Sequence, residues 1–366
     1  MKLVIFGLAV SSSWGNGHAT LWRGLITSLT GWGHRVVFFE RDLPFYAPHR
    51  DLTALPPGGA LVLYPGWEDV LPRARRELED ADVALVTSYC PDGVAASRQV
   101  LDSRVPVKCF YDLDTPVTLE RTRAGEAVEY LPPEGLGGFD LVLSYTGGAA
   151  LHALRTELGA RRVAPLYGHV DPAAYRACEP KESYRGDLSY LGTYATNRQA
   201  ALERFFLEPA RRMPRRRFVI GGAQYPADFA WTDNLWFVQH LPPPEHPAFY
   251  CSSTLTLNVT RAPMAAMGYC PSGRLFEAGA CGTPVLSDAW EGLDSFFRPG
   301  EEILVCRAPE DVVEALSRPP GELARIGRAA RERVLAEHTS EHRARELVEL
   351  LDAAGTHASA PEALRM

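Results

Sequence analysis

Short apolar runs of strand length recur along the chain at 3–10, 35–40, 83–87, 107–111 and 141–144, with helical stretches between them. Hairpins need only a few residues between strands, whereas this spacing suits strand–helix–strand crossovers and a parallel sheet covered by helices. Between the first two runs, Leu21, Trp22, Leu25, Ile26 and Leu29 share one face of a predicted helix over 19–29, which closes at Gly31-Trp32-Gly33. A second series begins near residue 186, with strands predicted at 188–192, 217–221, 235–239, 255–259, 284–287 and 303–306. Its first strand also enters a glycine turn and then a helix, over 198–207. The fold class is α/β: two Rossmann-like domains with parallel sheets facing a central cleft. Ligands are expected beyond the carboxyl ends of the strands.

A chain of 366 residues is long enough for two such cores. An N-terminal, acceptor-binding domain is expected over 1–167, and a linker over 168–185, where Pro172, Pro180 and several charges break the periodicity. The donor-binding domain follows over 186–351, its last part an amphipathic pattern interrupted by Pro319-Pro320-Gly321. The tail, 352–366, reads as frayed.

Charge excludes one class of partner. Lys and Arg number 38 against 45 Asp and Glu, giving a formal net charge of -7 without a basic block, so nucleic acid is not expected. The arginines at 211, 212, 215, 216 and 217 read as a helix end and a solvated turn. Seven cysteines, at 90, 109, 178, 251, 270, 281 and 306, contain no Cys-x-x-Cys pair and suit neither a disulfide scaffold nor a zinc site. Reduced thiols and a cytoplasmic location are the expectation. Lys2 followed by an apolar run is the outline of a signal peptide, but the run leads straight into a glycine loop and a helix, so a buried first strand is the simpler reading, with no membrane span.

The most informative stretch is 268–288. Ser272 suits the opening of a helix whose unpaired amides and positive dipole end can receive a diphosphate, and Gly273 keeps that approach unobstructed. Arg274 and Glu277, three residues apart, share a helix face. The guanidinium then suits phosphate oxygens and the carboxylate the two hydroxyls of a ribose. Leu275, Phe276, Ala278, Ala280 and Cys281 surround Glu277 with core-like residues, where a charge is costly without partners.

The run Arg274-Leu-Phe-Glu-Ala-Gly-Ala-Cys-Gly-Thr-Pro-Val-Leu-Ser-Asp288 resembles the donor-site signature of retaining GT-B glycosyltransferases, and within them the branch related to the spore maturation protein CgeB. The likeness extends to Tyr190-Leu-Gly-Thr-Tyr-Ala-Thr-Asn-Arg198 and Gly168-His-Val-Asp-Pro172 and covers nearly the whole chain. It implies a GT-B fold and metal-independent transfer of a sugar from a nucleoside diphosphate sugar, of UDP or TDP type, with no cofactor. It also implies that Glu277 binds the nucleotide ribose and that Arg198, beyond Gly192 and Thr193, holds the diphosphate, with His240 and Leu241 where the base is received. Arg261 has the right topological address for the same donor side. Two positions depart from the pattern: Thr193 stands where an Arg is usual, and Tyr269 where the first Glu of a Glu-x7-Glu pair is expected. Arg274 is the candidate replacement for the missing cation.

In the N-terminal half, the crest loop Ser13-Trp14-Gly15-Asn16-Gly17-His18 follows the first strand. Gly15, Asn16 and Gly17 are expected to face the acceptor, and His18 to serve as general base, since an imidazole takes a proton near neutral pH. Asp112 and Asp114 end another strand and can share that work by orienting an acceptor or stabilising an imidazolium. Their Asp-x-Asp spacing is also that of a metal motif, but arginines and helix amides already supply phosphate neutralisation, and no metal is expected. The acceptor, the base, the sugar, the stereochemical outcome and the oligomeric state are not readable from these residues. A nucleotide-sugar 2-epimerase, or a non-catalytic nucleotide-sugar-binding or structural protein, would need the same donor contacts and stands as the alternative.

Overall fold

The computed structural model describes residues 1–358. Seven parallel strands form the first sheet: β1 (Lys2–Gly7), β2 (Arg35–Arg41), β3 (Gly59–Tyr64), β4 (Val83–Thr87), β5 (Val107–Asp112), β6 (Leu141–Ser144) and β7 (Val163–Pro165). Their order is β3-β2-β1-β4-β5-β6-β7, so the strand sequence reverses direction between β1 and β4. The crossovers carry α1 (Gly17–Gly31), α2 (Trp67–Glu79), α3 (Gly93–Leu101), α4 (Thr115–Arg123) and α5 (Ala149–Thr156). β1 and β4 have fully buried faces, as the apolar runs anticipate for central strands. β3, an edge strand with mostly half-buried residues, and β7, three residues long, leave no comparable run and were not predicted.

The second sheet has six parallel strands in the order β10-β9-β8-β11-β12-β13. Their ranges are β8 (Gly186–Leu191), β9 (Phe218–Gly222), β10 (Leu235–Gln239), β11 (Ser253–Asn258), β12 (Val285–Asp288) and β13 (Leu304–Cys306). After β8 come α6 (Thr196–Leu202), a π-helical turn (Glu203–Leu207) and α7 (Glu208–Arg212). Then follow α8 (His246–Cys251), α9 (Ala262–Met267), α10 (Gly273–Ala280), α11 (Pro309–Ser317) and α12 (Pro320–Glu337). Here the direction reverses between β8 and β11.

Two compact units result: Met1–Tyr167 together with the chain from Ser340, and Gly168–Thr339. The segment 168–185 is not a bare linker. It packs within the second unit, where Val170 bridges to Thr339 and Tyr175 is buried. The predicted second domain also runs too far, because α13 (Ser340–Ala358) belongs to the first unit. Ala344, Leu347, Leu351 and Ala354 form its buried stripe and join the same core as Trp22, Leu25 and Leu29 of α1. Each buried leucine contributes about 1.5–3 kcal/mol, which holds the helix on this face. The part of the predicted frayed tail from 352 to 358 is therefore helical, and 359–366 lie outside the described residues. No helix among the described residues is long and apolar enough to cross a membrane.

Candidate functional site

Arg274, in the first turn of α10, sits where the second sheet reverses direction. Its Nη1 donates to the carbonyl of Leu191 at the end of β8 (2.9 Å), its Nη2 to that of Val259 just beyond β11 (3.2 Å), and its Nε to Ser272 Oγ (3.1 Å). The guanidinium thus ties together the two strand ends flanking the switch point, the place where open parallel sheets bind ligands. Ser272, the residue before α10, turns its hydroxyl to Arg274 and makes no side-chain cap. The amides of the first turn keep their dipole end available to an anion. A lysine would supply one compact ammonium instead of a planar fork. Arg274→Lys is expected to lose about 1–2 kcal/mol of stability in urea unfolding, through the carbonyls it can no longer bridge.

A second cation converges on the same point. Tyr190, fully buried in β8, lies under Arg274, whose guanidinium is 5.4 Å from the ring centroid, and its hydroxyl also hydrogen-bonds with Arg198. Burial alone would raise the Tyr190 phenol, but the charges of Arg274 and Arg198 outweigh it and hold the group below its ordinary value. Gly192 is required here by close approach: a Cβ would stand 2.8 Å from Tyr190 Oη and 3.2 Å from Arg274 Nη1. Its carbonyl accepts from Tyr225 Oη (3.0 Å), while the Thr193 carbonyl accepts from Arg198 Nη1 (3.5 Å).

One turn along α10, Glu277 accepts a hydrogen bond from Tyr250 Oη of α8 (3.1 Å), and Tyr175 holds the same carboxylate. Burial pushes the Glu277 carboxyl up, and the Tyr250 hydroxyl, the Arg274 charge and Tyr175 pull it only part of the way back. Tyr175 Oη also meets His246 Nδ1 (3.1 Å), and His246 Nε2 meets the Leu241 carbonyl (3.1 Å). Since a carbonyl only accepts, Nε2 carries the proton and Nδ1 is an acceptor, so the single Tyr175 hydroxyl proton is shared between Nδ1 and the Glu277 carboxylate. Burial drives this imidazole down to about 4, so it is a neutral strut. Beside this group Asp288, at the end of β12, accepts from Thr260 N (3.1 Å) and Thr260 Oγ1 (2.9 Å).

The predicted donor residues Gly192, Thr193, Arg198, Ser272, Gly273, Arg274 and Glu277 therefore meet at one end of one sheet. His240 stands on the same rim in a left-handed conformation (φ 47°), its amide bonded to the Gly222 carbonyl (2.7 Å), and Leu241 is buried with its carbonyl taken by His246. Arg261 precedes α9, on the chain just past β11. Tyr269 is held at φ 45°, its amide bonded to the Glu291 carbonyl (2.7 Å). Gln224, after β9, shares this conformation, so three side-chain-bearing residues of the second unit are strained on loops around the site. Tyr250, Tyr175 and Thr260 were not singled out from sequence, and Tyr190 and Asp288 entered only as the ends of quoted motifs, with no role given to either. A tyrosine in an apolar strand is the only local signal that Tyr190 offers.

In the first unit, Asn16 caps α1: its Oδ1 accepts from the His18 amide (3.0 Å) and its Nδ2 donates to the Ser12 carbonyl (3.2 Å). Asn16 is buried in that role rather than presented to an acceptor, whereas Gly15 and Gly17 remain at the loop crest. His18 lies in the first turn of α1, its ring edge-on to Tyr89 at 5.6 Å, and Tyr89 itself is left-handed (φ 61°) immediately beyond β4. Both stand at the reversal point of the first sheet.

Asp112 takes a different place from the one expected of an acceptor-facing acid. It is fully buried, with Oδ1 accepting from the Asp114 amide (3.1 Å) and the hydroxyls of Thr118 and Ser88 beside the carboxyl. Burial pushes its carboxyl up to about 6, with the Thr118 hydroxyl and the Asp114 amide opposing the rise. The folded state disfavours the ionised form, so the stability this residue lends is greatest below pH 4 and is lost as pH rises through about 6. Asp112→Asn is expected to be more stable than wild type by roughly 3 kcal/mol above pH 7, and to flatten the pH dependence of the urea midpoint between pH 4 and 6. Asp114 lies just before α4 and makes no side-chain cap. Among the described residues no group of three His, Cys, Asp or Glu is arranged to hold a metal.

Several solved structures share this two-sheet plan. Sucrose-phosphate synthase from Thermosynechococcus elongatus superposes with a TM-score of 0.72 at 14% identity, covering 98% of this chain and all (100%) of that one. The fold is GT-B. Anabaena HepE in complex with UDP-glucose gives a TM-score of 0.66 at 11% identity, covering 96% of this chain and 100% of its own. The catalytic domain of starch synthase IV from Arabidopsis thaliana, bound to ADP and acarbose, gives 0.66 at 12% identity, over 97% and 99% of the two chains. Residues 198–349, including α10 and all but the first strand of the second GT-B sheet, match the glycosyl transferase-like family. No curated protein matches the chain.

Proposed function

We propose that this GT-B chain is a glycosyltransferase that moves a sugar from a nucleoside diphosphate sugar, of UDP or TDP type, to an acceptor hydroxyl without a metal ion. The observation that carries this reading is the convergence of Arg198 and Arg274 on the Tyr190 hydroxyl, with the α10 amides beside them and Glu277 one turn further on. Two guanidiniums brought together repel unless an anion joins them, and a diphosphate is the anion whose attached ribose would then reach a carboxylate. The family match over 198–349 and the UDP-glucose and ADP held by HepE and starch synthase IV support it. The finer placement in the CgeB-like branch rests on the motif at 274–288.

Charge grows on the departing diphosphate as its bond to the sugar breaks. Guanidiniums and helix amides already fixed in place stabilise that charge without reorganising, which is where most of the rate would come from. His18 is assigned the acceptor proton in preference to Asp112, whose carboxyl is fully buried.

Thermal unfolding in EDTA with UDP, TDP, GDP or ADP tests the donor assignment. At a hundredfold excess over Kd, UDP or TDP is expected to stabilise by about 2.7 kcal/mol, a rise of roughly 5 °C, and Arg198→Ala to remove most of that rise. A chain that responds to none of the four nucleotides overturns the reading. Turnover abolished by EDTA and restored by manganese would overturn its metal-free part.

A further inference from the structure

Three cysteines from distant parts of the sequence meet at the end of α10, and the innermost, Cys281, feels the charge of Glu277. Cys251 ends α8, Cys281 follows α10, and Cys178 lies in the segment before β8. The Cys178 amide donates to Cys251 Sγ (3.4 Å), Cys251 Sγ lies 3.8 Å from the Cys281 carbonyl, and both other thiols hydrogen-bond with the Cys251 thiol. Cys178 is exposed, Cys251 half-buried and Cys281 buried, so one thiol of the group meets solvent and its neighbour is one step inside. The two phenols that hold Glu277 belong to the same segments: Tyr250 directly precedes Cys251, and Tyr175 stands three residues before Cys178.

We propose that Cys251 and Cys178 are a hydroperoxide-oxidised thiol pair that controls the Glu277 site. Cys251 is the attacking member. Hydrogen bonds from Cys281, and from the amide and thiol of Cys178, favour its thiolate over the opposing effect of burial and bring the group down to about 6, whereas partial desolvation, the Cys251 charge and the hydrogen bond to Cys251 lift Cys178 to about 11. The Cys251 thiolate attacks one oxygen of hydrogen peroxide: an S–O bond forms, the O–O bond breaks, and hydroxide leaves and is protonated to water. The Cys178 thiol then attacks the sulfenic sulfur, loses its proton, and expels the oxygen as a second water, leaving a disulfide. Two thiols and one peroxide give one disulfide and two waters.

An S–S bond of about 2 Å cannot form from a hydrogen-bonded pair unless the end of α8 and the Cys178 segment draw together. Tyr250 and Tyr175 ride on those two segments, so the bond shifts both phenols relative to Glu277. The consequence for nucleotide binding rests on the proposed donor site; the disulfide itself does not.

The test has two independent arms on the full chain. After stoichiometric hydrogen peroxide, alkylation under denaturing conditions and peptide mass spectrometry are expected to show a Cys178–Cys251 link that dithiothreitol reverses. Cys178→Ser is expected to leave Cys251 as a sulfenic acid captured by dimedone, and Cys251→Ser to give neither product. A link between other cysteines, or oxidation of Cys178 that persists in Cys251→Ser, overturns the assignment. In the second arm, UDP is expected to bind the oxidised protein about fivefold or more weakly than the reduced protein, with full recovery on reduction and no change in Cys178→Ser. Equal affinity in the mapped, oxidised protein overturns the control of the site while the mapping stands. A reduced protein that does not bind UDP instead counts against the donor site.

Discussion

UDP is expected to bind Glu277→Gln about 10- to 100-fold more weakly than wild type, while the variant's own melting temperature holds or rises. The two effects have opposite signs because the carboxylate serves a ligand and not the fold. Burial places the Glu277 carboxyl above its ordinary value even with Tyr250, Arg274 and Tyr175 around it, so keeping it ionised at neutral pH costs folding free energy. In linkage terms, the stability this residue lends is fully present below the ordinary carboxylate range and is lost as pH rises through its raised folded-state value. Glutamine keeps the shape and the Tyr250 contact but removes the charge, and with it the charge-assisted bonds to two ribose hydroxyls. Titration calorimetry with UDP, read beside thermal unfolding of the free protein, separates the outcomes. A variant that binds UDP normally but melts earlier would make Glu277 a structural ion, and the donor assignment would fail with it.

Gly327→Ala is expected to destabilise the protein by about 3 kcal/mol in urea unfolding, although a glycine-to-alanine change inside a helix ordinarily stabilises by up to ~1 kcal/mol. Gly327 is buried in α12, and a Cβ there would stand 2.2 Å from the Gly282 carbonyl oxygen and 3.1 Å from its carbon. Those are backbone atoms of the turn that ends α10, so no side-chain rotation relieves the clash. Gly279 of α10 repeats the arrangement from the other side, where a Cβ would meet Val334 of α12 at 2.8 Å. The two helices thus approach through glycines, and α12 sets the height of α10 against the sheet. The same substitution is therefore expected to weaken UDP binding, since Arg274 and Glu277 both ride on α10. Against a total stability of order 10 kcal/mol the loss is large enough to lower the urea midpoint plainly. A Gly327→Ala protein more stable than wild type would show that the helices do not pack backbone to backbone.

Much of the proposed donor side was readable because its signals are local. Ser272, Gly273, Arg274 and Glu277 lie within six consecutive residues, and one turn of helix is enough to put the cation and the carboxylate on a common face. Tyr190 and Tyr250 were not readable, because a tyrosine in an apolar strand or helix gives no sign of whether its hydroxyl meets water, a backbone carbonyl or two arginines. Asp112 shows the same gap from the other side. A strand end with two acids has the address of a site, but only the packing of α4 and the neighbouring strands decides that this carboxyl is enclosed.

The amino-acid sequence by itself determined that the chain makes two parallel sheets and that a cationic and an acidic group share one helix face after a turn of the second. Strand and helix periods are properties of neighbouring residues, and they announce which faces must be covered. What does the covering is settled only by packing across long stretches of chain. The amphipathic pattern ending near Leu351 announced a helix with an apolar face; tertiary structure alone carried that helix past Ala354 and placed its face in the core of the first unit rather than the second. The three thiols at 178, 251 and 281 likewise came together only in the folded chain, since nothing in their spacing foretells that the ends of α8 and α10 meet.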